Sequence, residues 1–436
     1  MVNISRDAAV YGPLLPARLP QKKKGIMSYI DFVSDYNALI AAYARVHRVS
    51  GWKCSAQKAG INLLKEVQQL SEEIESTSYR PGKGVTFKMC ERGNLRLVRA
   101  LNVRDTIAQQ ALCQSLLIPV LERYMIYDNG ASLKGKGISF TRRRFEEHLL
   151  WHYRRYGTDG YALKLDFRKY FDNIEHKKLL KMILAKIPDA RLKIVLQHIL
   201  ESNCPDVSYD PRSVDKIMQE PFNSLEHEKI PREQLAGQKF LPKSLGIGSP
   251  LSQIAGIFFP TRIDTYCKTV KRLHCYDAYM DDRIILHPDK EYLKSLRKDI
   301  ERIARDMGLF VHPKKTQIIK ISHGITFLKT KYLLTDTGKI IRRIPHDTVV
   351  TQRRKMKALA NLVAAGKMEY TDFTRQYLSW RGDKKWYNAH RTVRNMDILY
   401  GRLKEWLRQQ KAQQTQQSRK TRQENRSLKK SKKSST

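Results

Sequence analysis

The stretch that decides the fold reads AYMDDRIIL and runs from Ala278 to Leu286, with the adjacent aspartates Asp281 and Asp282 at its centre. Strand-forming residues on both sides of the two carboxylates predict a β-hairpin with the acidic pair at its turn. Half-burying two adjacent carboxylates is costly unless a cation or hydrogen-bond donors compensate them. A simple β-turn without a chemical role is the alternative, because aspartate favours turns in general.

Another acidic residue follows a second apolar strand. Residues 161–167 read YALKLDF after Gly160, so Asp166 stands at the end of a predicted strand. Mg²⁺ is a hard cation that binds one or two carboxylates together with substrate phosphates, and two such ions can activate a hydroxyl and stabilise a leaving oxygen. A pair of Mg²⁺ ions would therefore explain the aspartates in these apolar surroundings.

The charge of the chain indicates a polyanionic partner. Lysine and arginine number 82 against 43 aspartate and glutamate residues, which gives a formal net charge of +39 over 436 residues. This excess argues against a protein that handles only small neutral substrates and favours a nucleic-acid partner. A ribosome-associated cationic protein is the alternative. Basic residues occur along the whole length, however, and acidic residues recur within apolar stretches, which favours a nucleic-acid enzyme.

The sequence shows no targeting or membrane segment. Residues 1–20 are polar and interrupted by proline, and no run of about 18 uncharged apolar residues occurs. The six cysteines form no CxxC pair and no Cys/His cluster at zinc spacing. We therefore expect a cytoplasmic protein with reduced thiols and without membrane contact.

The periodicity of apolar residues predicts several elements around the aspartates. Residues 252–270 predict one helix after a glycine-rich turn, and residues 290–307 predict an amphipathic helix. After Pro345 the composition becomes helix-forming, with tryptophans among basic residues. From about Gln409 the chain is rich in Gln, Ser, Lys and Arg without apolar periodicity, which predicts disorder.

An ordered series of motifs between Tyr79 and Arg343 resembles that of reverse transcriptases. YMDD alone is a weak signal, but the complete order is specific. The motifs are Leu163–Ile174 (A), Leu245–Gln253 (B), Tyr279–Asp282 (C), His312–Thr316 (D) and Ile325–Lys329 (E), preceded by the finger motifs Arg96–Ala111 and Tyr127–Gly137.

The resemblance implies an α+β right-hand polymerase fold with an antiparallel palm sheet and a helical thumb. The expected segments are an N-terminal extension (1–26), fingers (27–160), a palm (161–344) with an irregular insertion near 203–240, a helical thumb (345–408) and a basic disordered tail (409–436).

The resemblance also assigns a catalytic site. Asp166 and Asp281, together with Phe167, would hold two Mg²⁺ ions, for which Mn²⁺ is a substitute, and Asp282 would assist the same cluster. Phe171 occupies the position of the aromatic steric gate that clashes with a ribose 2′-hydroxyl, although ordinary core packing is the alternative.

Three lysines would contact the nucleotide. Lys134 and Lys136 on a glycine-flanked loop would approach the triphosphate, and Lys315 of motif D would lie near the departing pyrophosphate. Solvent-exposed surface charge is the alternative for each of them.

Motif B indicates the subfamily. Ile247, Gly248, Ser252 and Gln253 form the IGxxxSQ pattern typical of reverse transcriptases of diversity-generating retroelements, where other branches carry QGxxxSP. Ile247, Gly248 and Gln253 would line the nucleotide site. Because Ile247 cannot hydrogen-bond around the nucleotide as glutamine does, the pattern predicts error-prone copying. A packing variant without effect on fidelity is the alternative. Gly246, Ser249-Pro250 and Lys329 depart from the subfamily pattern.

The expected function is therefore RNA-directed DNA polymerisation, with mutagenic retrohoming as the setting. The partners would be an RNA template, a DNA or RNA primer, deoxynucleotides and a small basic accessory protein. The alternatives are a group II intron-like or phage-defence reverse transcriptase, and a noncatalytic RNA-binding maturase. Residues after Pro345 contain no cysteine, so no zinc-bound endonuclease is expected there.

Overall fold

The computed structural model describes residues 28–91 and 94–433, with side chains for 28–90 and 95–421. The expected N-terminal extension at 1–26 lies outside the described residues. The chain divides into two compact units. The first contains the described residues up to Tyr156 together with Gly160–Ile319, and the second contains Gly157–Asp159 and the residues from Lys320 onward.

Within the described residues, the strands form three antiparallel sheets, with the orders β1-β2, β4-β5-β3-β6 and β7-β8-β9. They are β1 (Val85–Glu91), β2 (Asn94–Ala100), β3 (Tyr161–Leu165), β4 (Tyr276–Tyr279), β5 (Asp282–His287), β6 (Gln317–Lys320), β7 (Ile325–Phe327), β8 (Thr330–Leu334) and β9 (Ile340–Arg343).

The α-helices are α1 (Asp31–Ser34), α2 (Tyr36–Ser50), α3 (Cys54–Ile61), α4 (Leu63–Glu75), α5 (Val103–Ala111), α6 (Ile118–Leu121), α7 (Ile138–Tyr156), α8 (His176–Leu184), α9 (Ala190–Glu201), α10 (Val214–Met218), α11 (Ser224–His227), α12 (Pro250–Phe258), α13 (Thr261–Thr265), α14 (Lys290–Asp306), α15 (His346–Ala364), α16 (Tyr370–Asp383) and α17 (His390–Lys433).

The four-stranded sheet is the centre of the first unit. Its strand β5 pairs with β4 on one side and with β3 on the other, and the buried residues of β3 and β5 belong to the core. Helix α14 packs on β3 and β5 with Leu293, Leu296 and Ile300 buried, which is the face that the amphipathic pattern predicts. Asp289 caps this helix by accepting from two backbone N–H groups.

In two segments of the first unit, the secondary structure differs from the prediction or adds detail to it. The helix expected over residues 252–270 is split into α12, α13 and a π-helical turn, with Pro260 at the break. Proline lacks an N–H for the helical ladder, which accounts for the interruption. The segment near 203–240 contains the short helices α10 and α11 around a small core of Val207, Ile217, Phe222 and Leu241.

The second unit combines the sheet β7-β8-β9 with α15, α16 and α17. Aromatic side chains fill its core, where the rings of Tyr377 and Tyr400 stack with centroids 4.1 Å apart. Helix α17 continues to Lys433, through the segment from Gln409 for which composition predicts disorder. Gln, Lys and Arg are good helix formers, and no proline or glycine occurs between Arg402 and Lys433 to end the helix.

Within the described part of the chain, no helix is both long and apolar enough to cross a membrane.

Candidate active site

The acidic turn lies between β4 and β5, as the AYMDDRIIL stretch predicts. Tyr279 pairs with Asp282, so Met280 and Asp281 are the two turn residues. Met280 has a φ of +53°, which is a left-handed conformation that side chains other than glycine rarely adopt. Strand β3 pairs with β5 so that Leu165 lies opposite Arg283. Asp166 therefore leaves β3 beside the turn that carries Asp281.

The carboxylates of Asp166, Asp281 and Asp282, named here the open cluster, influence one another electrostatically. Burial and then the charge of Asp281 raise the pKa of Asp282 to about 6; Lys164 opposes this shift and Asp166 adds to it. Burial also raises the pKa of Asp166, with Lys315 opposing the shift and Asp281 adding to it. Burial is the main cause of both shifts, and the mutual repulsion of the carboxylates adds to it.

Lys315 is brought to this cluster by the segment between α14 and β6. Residues 310–312 pair with the backbone that follows β3: Arg168 donates to the carbonyl of Phe310 at 2.7 Å, and His312 donates to the carbonyl of Asp166 at 2.7 Å. The N–H of Asp166 donates to the hydroxyl of Thr316 at 3.2 Å. The ammonium of Lys315 then lies 3.9 Å from the Asp166 carboxylate. Among the described ion pairs, this is the one that involves the open cluster.

A buried arginine donates a hydrogen bond to the backbone of the acidic turn. Arg283 is 1% exposed, donates from Nε to Asp264 at 3.3 Å and donates from Nη1 to the carbonyl of Met280. Its guanidinium lies 5.4 Å from the centre of the buried Phe167 ring. The contact with Met280 holds the turn in its left-handed conformation. Because the side chain of Phe167 has no oxygen atom, only its backbone carbonyl is suited to binding a hard metal ion.

The expected nucleotide-site residues of motif B lie around α12. Ile247 accepts a hydrogen bond from the N–H of Arg99 at 2.9 Å and pairs with Val98 of β2. Gly248 has a φ of +127°, and a Cβ atom there would lie 2.9 Å from the carbonyl oxygen of Arg99. Gln253 is exposed on α12. Motif B is therefore attached to the β1-β2 hairpin by main-chain contacts.

Phe171 lies in the 3₁₀ turn Tyr170–Asn173 and is half-buried. The edge of its ring faces Gly256 of α12, where a Cβ atom would lie 2.8 Å from the ring atom Cε1. The neighbouring Tyr170 donates from its hydroxyl to the carbonyl of Gly256 at 2.6 Å. The candidate gate is thus in direct contact with α12, three residues beyond motif B.

A second group of carboxylates lies along β4 and is named here the paired cluster. It contains Asp128, His148 and Asp277, whose ligand atoms lie within 4.8 Å of one another, together with Arg144 and Lys268. Asp128 lies 2.7 Å from both Arg144 and Lys268, and His148 Nδ1 lies 2.8 Å from Asp277. Burial raises the pKa of Asp128, but the hydrogen bonds from Lys268 and Arg144 outweigh it and lower the net value. Arg144 and Lys268 thus compensate Asp128, whereas burial raises the pKa of Asp277 and His148 opposes that shift.

The open cluster fits a hard divalent cation better than the paired cluster does. Three carboxylates with a single lysine at 3.9 Å offer oxygen ligands and lack positive charge. In the paired cluster, Arg144 and Lys268 already contact Asp128, so an added cation would compete with them. Asp166, Asp281 and Asp282 are therefore the residues with the donor set that Mg²⁺ prefers.

Residues 83–332, which are more than half of the chain, match the family model described as reverse transcriptase (RNA-dependent DNA polymerase). The chain belongs to the reverse transcriptase family. Reverse transcriptases are nucleotidyltransferases that copy an RNA template from nucleotide substrates and generally use divalent metals. The family implies a polymerase fold, and helices combined with antiparallel sheets agree with the expected α+β class. A comparison with curated proteins finds no match.

The two lysines expected to contact the nucleotide triphosphate, Lys134 and Lys136, differ in their surroundings in this reverse transcriptase. Lys136 donates to the carbonyl of Tyr127 at 2.9 Å and lies over the rings of Tyr127 and Phe140. Burial lowers the pKa of Lys136. Lys134 is exposed. Among the described contacts, none joins either lysine to the open cluster.

Sequence reasoning missed the residues that support the open cluster and the whole paired cluster. Arg283 follows the acidic pair directly, and an arginine inside an apolar strand is a signal that could have been noticed. Its partner Asp264 lies 19 positions away on α13. Asp128, His148 and Asp277 come from a loop, a helix and a strand. No spacing rule connects such residues in the sequence.

Proposed function

We propose that this reverse transcriptase joins nucleotides through two divalent metal ions held by Asp166, Asp281 and Asp282, with the carbonyl of Phe167 as a further ligand. The observation that carries the proposal is that, among the described ion pairs, these three carboxylates share one contact, Lys315 to Asp166 at 3.9 Å, whereas Asp128 and Asp277 are closely paired. When bound, the ions would activate the primer 3′-hydroxyl and stabilise the leaving pyrophosphate. The chain's own contribution is to hold the carboxylates in place through the β3–β5 pairing and Arg283.

Lys315 is positioned to act as a proton donor in this reaction. Its ammonium lies 3.9 Å from Asp166, and its side chain is 64% exposed, so it is free to move toward a departing pyrophosphate oxygen. A positioned proton donor contributes about 10²- to 10⁴-fold to the rate of such reactions.

In the right-hand arrangement that we propose, the β1-β2 hairpin and α1–α7 form the fingers, the four-stranded sheet with α8–α14 forms the palm, and α15–α17 form the thumb. The position of the open cluster on the four-stranded sheet supports the palm assignment.

Primer extension on an RNA template tests the metal-site proposal. We expect full-length protein to incorporate deoxynucleotides with Mg²⁺ or Mn²⁺, and Asp166→Asn to abolish incorporation while RNA binding persists. The exposed Asp215, changed to Asn, is the matched control and should leave activity unchanged. Incorporation by Asp166→Asn would overturn the proposal. RNA binding by the unaltered protein without incorporation would favour a noncatalytic maturase.

We further propose that Phe171 excludes ribonucleotides. Its half-buried ring is held against α12 next to the strand end that carries Asp166. Phe171→Ala should increase ribonucleotide incorporation, which appears as alkali-labile linkages in the product. An unchanged ratio of ribonucleotide to deoxynucleotide incorporation would assign the ring to core packing alone.

As the biological setting we propose error-prone copying in a diversity-generating retroelement, assisted by a small basic accessory protein. The IGxxxSQ pattern at Ile247 supports this setting over an intron-like or phage-defence role. Sequencing complementary DNA made by the unaltered protein and by Ile247→Gln on one RNA template tests it. We expect errors at template adenines to fall about fivefold to tenfold in the variant, which corresponds to roughly 1 kcal/mol of discrimination. Equal error rates would remove Ile247 as a fidelity determinant.

A further inference from the structure

We propose that Gly256 of α12 is a specificity-determining residue, because the missing side chain at this position sets how far the Phe171 ring projects toward the nucleotide sugar. The inference rests on the proposed role of Phe171 as the sugar gate. It concerns a different residue, on a different element, whose side-chain size would tune that gate.

Glycine at this position is costly for the helix and needs a reason. Gly256 is buried within the nine-residue helix α12, where glycine is less favourable than alanine. A Cβ atom built on Gly256 would lie 2.8 Å from Cε1 and 3.1 Å from Cζ of Phe171. Real Cβ atoms essentially never approach to less than 3.0 Å, so any side chain at 256 must displace the ring. Phe171 accordingly occupies the space that a methyl group would need.

The backbone beneath the ring is fixed on several sides, so the ring rather than the turn has to move. The carbonyl of Phe171 accepts from the N–H of Leu245 at 3.0 Å, and the N–H of Asp172 donates to Lys169 at 3.0 Å. The side-chain amide of Asn173 donates to the carbonyls of Arg168 and Lys169 at 3.2 and 3.0 Å. These contacts hold the backbone of the turn in place.

Tyr170 limits the directions in which the ring can go. It is buried, its hydroxyl bonds the carbonyl of Gly256, and its ring meets the Phe171 ring edge to face at 5.3 Å. Phe171 itself is half-buried, so its remaining free side faces solvent. A methyl group on residue 256 would therefore move the Phe171 ring outward, away from α12 and into the space that the sugar would occupy.

A double-mutant cycle tests this inference in full-length protein. Gly256→Ala should raise KM for deoxynucleotides about tenfold, with a smaller change in kcat. In the Phe171→Ala background, where no ring remains to be displaced, the same substitution should change KM less than twofold. Gly401→Ala is the matched control, because a Cβ atom there meets nothing within 4 Å, and it should leave KM unchanged.

The outcomes separate the two proposals. If Phe171→Ala relaxes sugar selection but Gly256→Ala leaves KM unaltered, the Gly256 inference is wrong and the gate stands. An equal effect of Gly256→Ala in both backgrounds also overturns the inference, because the coupling to Phe171 is then absent. An unchanged sugar selection in Phe171→Ala overturns the gate itself. Thermal melting of each variant shows whether it is folded. If Gly256→Ala alone does not fold, the test is whether the Phe171→Ala/Gly256→Ala protein folds and keeps the KM of Phe171→Ala, as expected when no ring has to be displaced.

Discussion

Two clusters of carboxylates lie along β4, and they differ in the cations that the chain supplies. In the paired cluster, Asp128 contacts Arg144 and Lys268 at 2.7 Å, and Asp277 contacts His148 at 2.8 Å. In the open cluster, three carboxylates have one lysine at 3.9 Å from Asp166. The paired cluster joins α7 and the loop before it, which carries Asp128, to β4, whereas the open cluster lies where β3 ends and β4 turns into β5.

The difference separates structural carboxylates from candidate catalytic ones. The closeness of the ligand atoms alone would select Asp128, His148 and Asp277 as a metal site. The ion pairs select the other cluster, because Arg144, Lys268 and His148 lie within 2.8 Å of the carboxylates of the paired cluster, while the described ion pair of the open cluster is Lys315 at 3.9 Å from Asp166. A deficit of positive charge is therefore the more informative criterion here.

The largest expected effect distinguishes the clusters by activity. Asp281→Asn should reduce deoxynucleotide incorporation by about 10³-fold or more, which corresponds to about 4 kcal/mol in the barrier. Asp277→Asn, four residues earlier on β4, should retain activity within about tenfold of the unaltered protein at temperatures where it is folded. Single-turnover primer extension gives both values. Equal losses in two folded variants would contradict the division into two clusters.

The next effect concerns stability in the absence of divalent cations. His148→Ala leaves the buried Asp277 without its partner and should lower the free energy of unfolding by about 3 kcal/mol. Asp282→Asn removes repulsion within the open cluster and should raise the free energy of unfolding by about 1 kcal/mol at pH 7. Urea denaturation with EDTA measures both changes. Destabilisation by Asp282→Asn similar to that by His148→Ala would show that the open cluster is structural too.

A smaller effect is stabilisation by the metal ion. Mg²⁺ at about 100 times its dissociation constant should stabilise the unaltered protein by about 2.7 kcal/mol if one site is filled. The accompanying rise in Tm should vanish in Asp281→Asn and persist in Asp277→Asn. Thermal melting with and without Mg²⁺ checks this. Loss of the rise only in Asp277→Asn would move the metal site to the paired cluster.

The smallest effect on stability is expected at Lys315. Its side chain is 64% exposed, so Lys315→Met should change the free energy of unfolding by less than about 0.5 kcal/mol. The rate of nucleotide addition should nevertheless fall at least tenfold if Lys315 donates a proton. The adjacent exposed Lys314, changed to Met, is the control and should leave the rate unaltered. Equal rates for both variants would make Lys315 a surface charge.

Much of the architecture around the open cluster was predictable because it is local in the sequence. The acidic β-hairpin is confirmed, since strand formers on both sides of Asp281 and Asp282 leave few other arrangements. The amphipathic helix at α14 is confirmed for the same kind of reason. The interruption at Pro260 was missed, although a proline inside an apolar run is a local signal for a break.

The sequence by itself determined the family, through the order of its motifs, while its net charge of +39 indicated a polyanionic partner; it also predicted Asp166, Asp281 and Asp282 as the metal-binding carboxylates. Only the tertiary structure decided how these carboxylates are compensated. Lys315 reaches Asp166 across 149 positions, Arg283 meets Asp264 from another element, and Phe171 rests on Gly256. The physical reason is that charge balance and steric fit depend on distances between side chains, and strand pairing and helix packing set those distances between residues far apart in sequence.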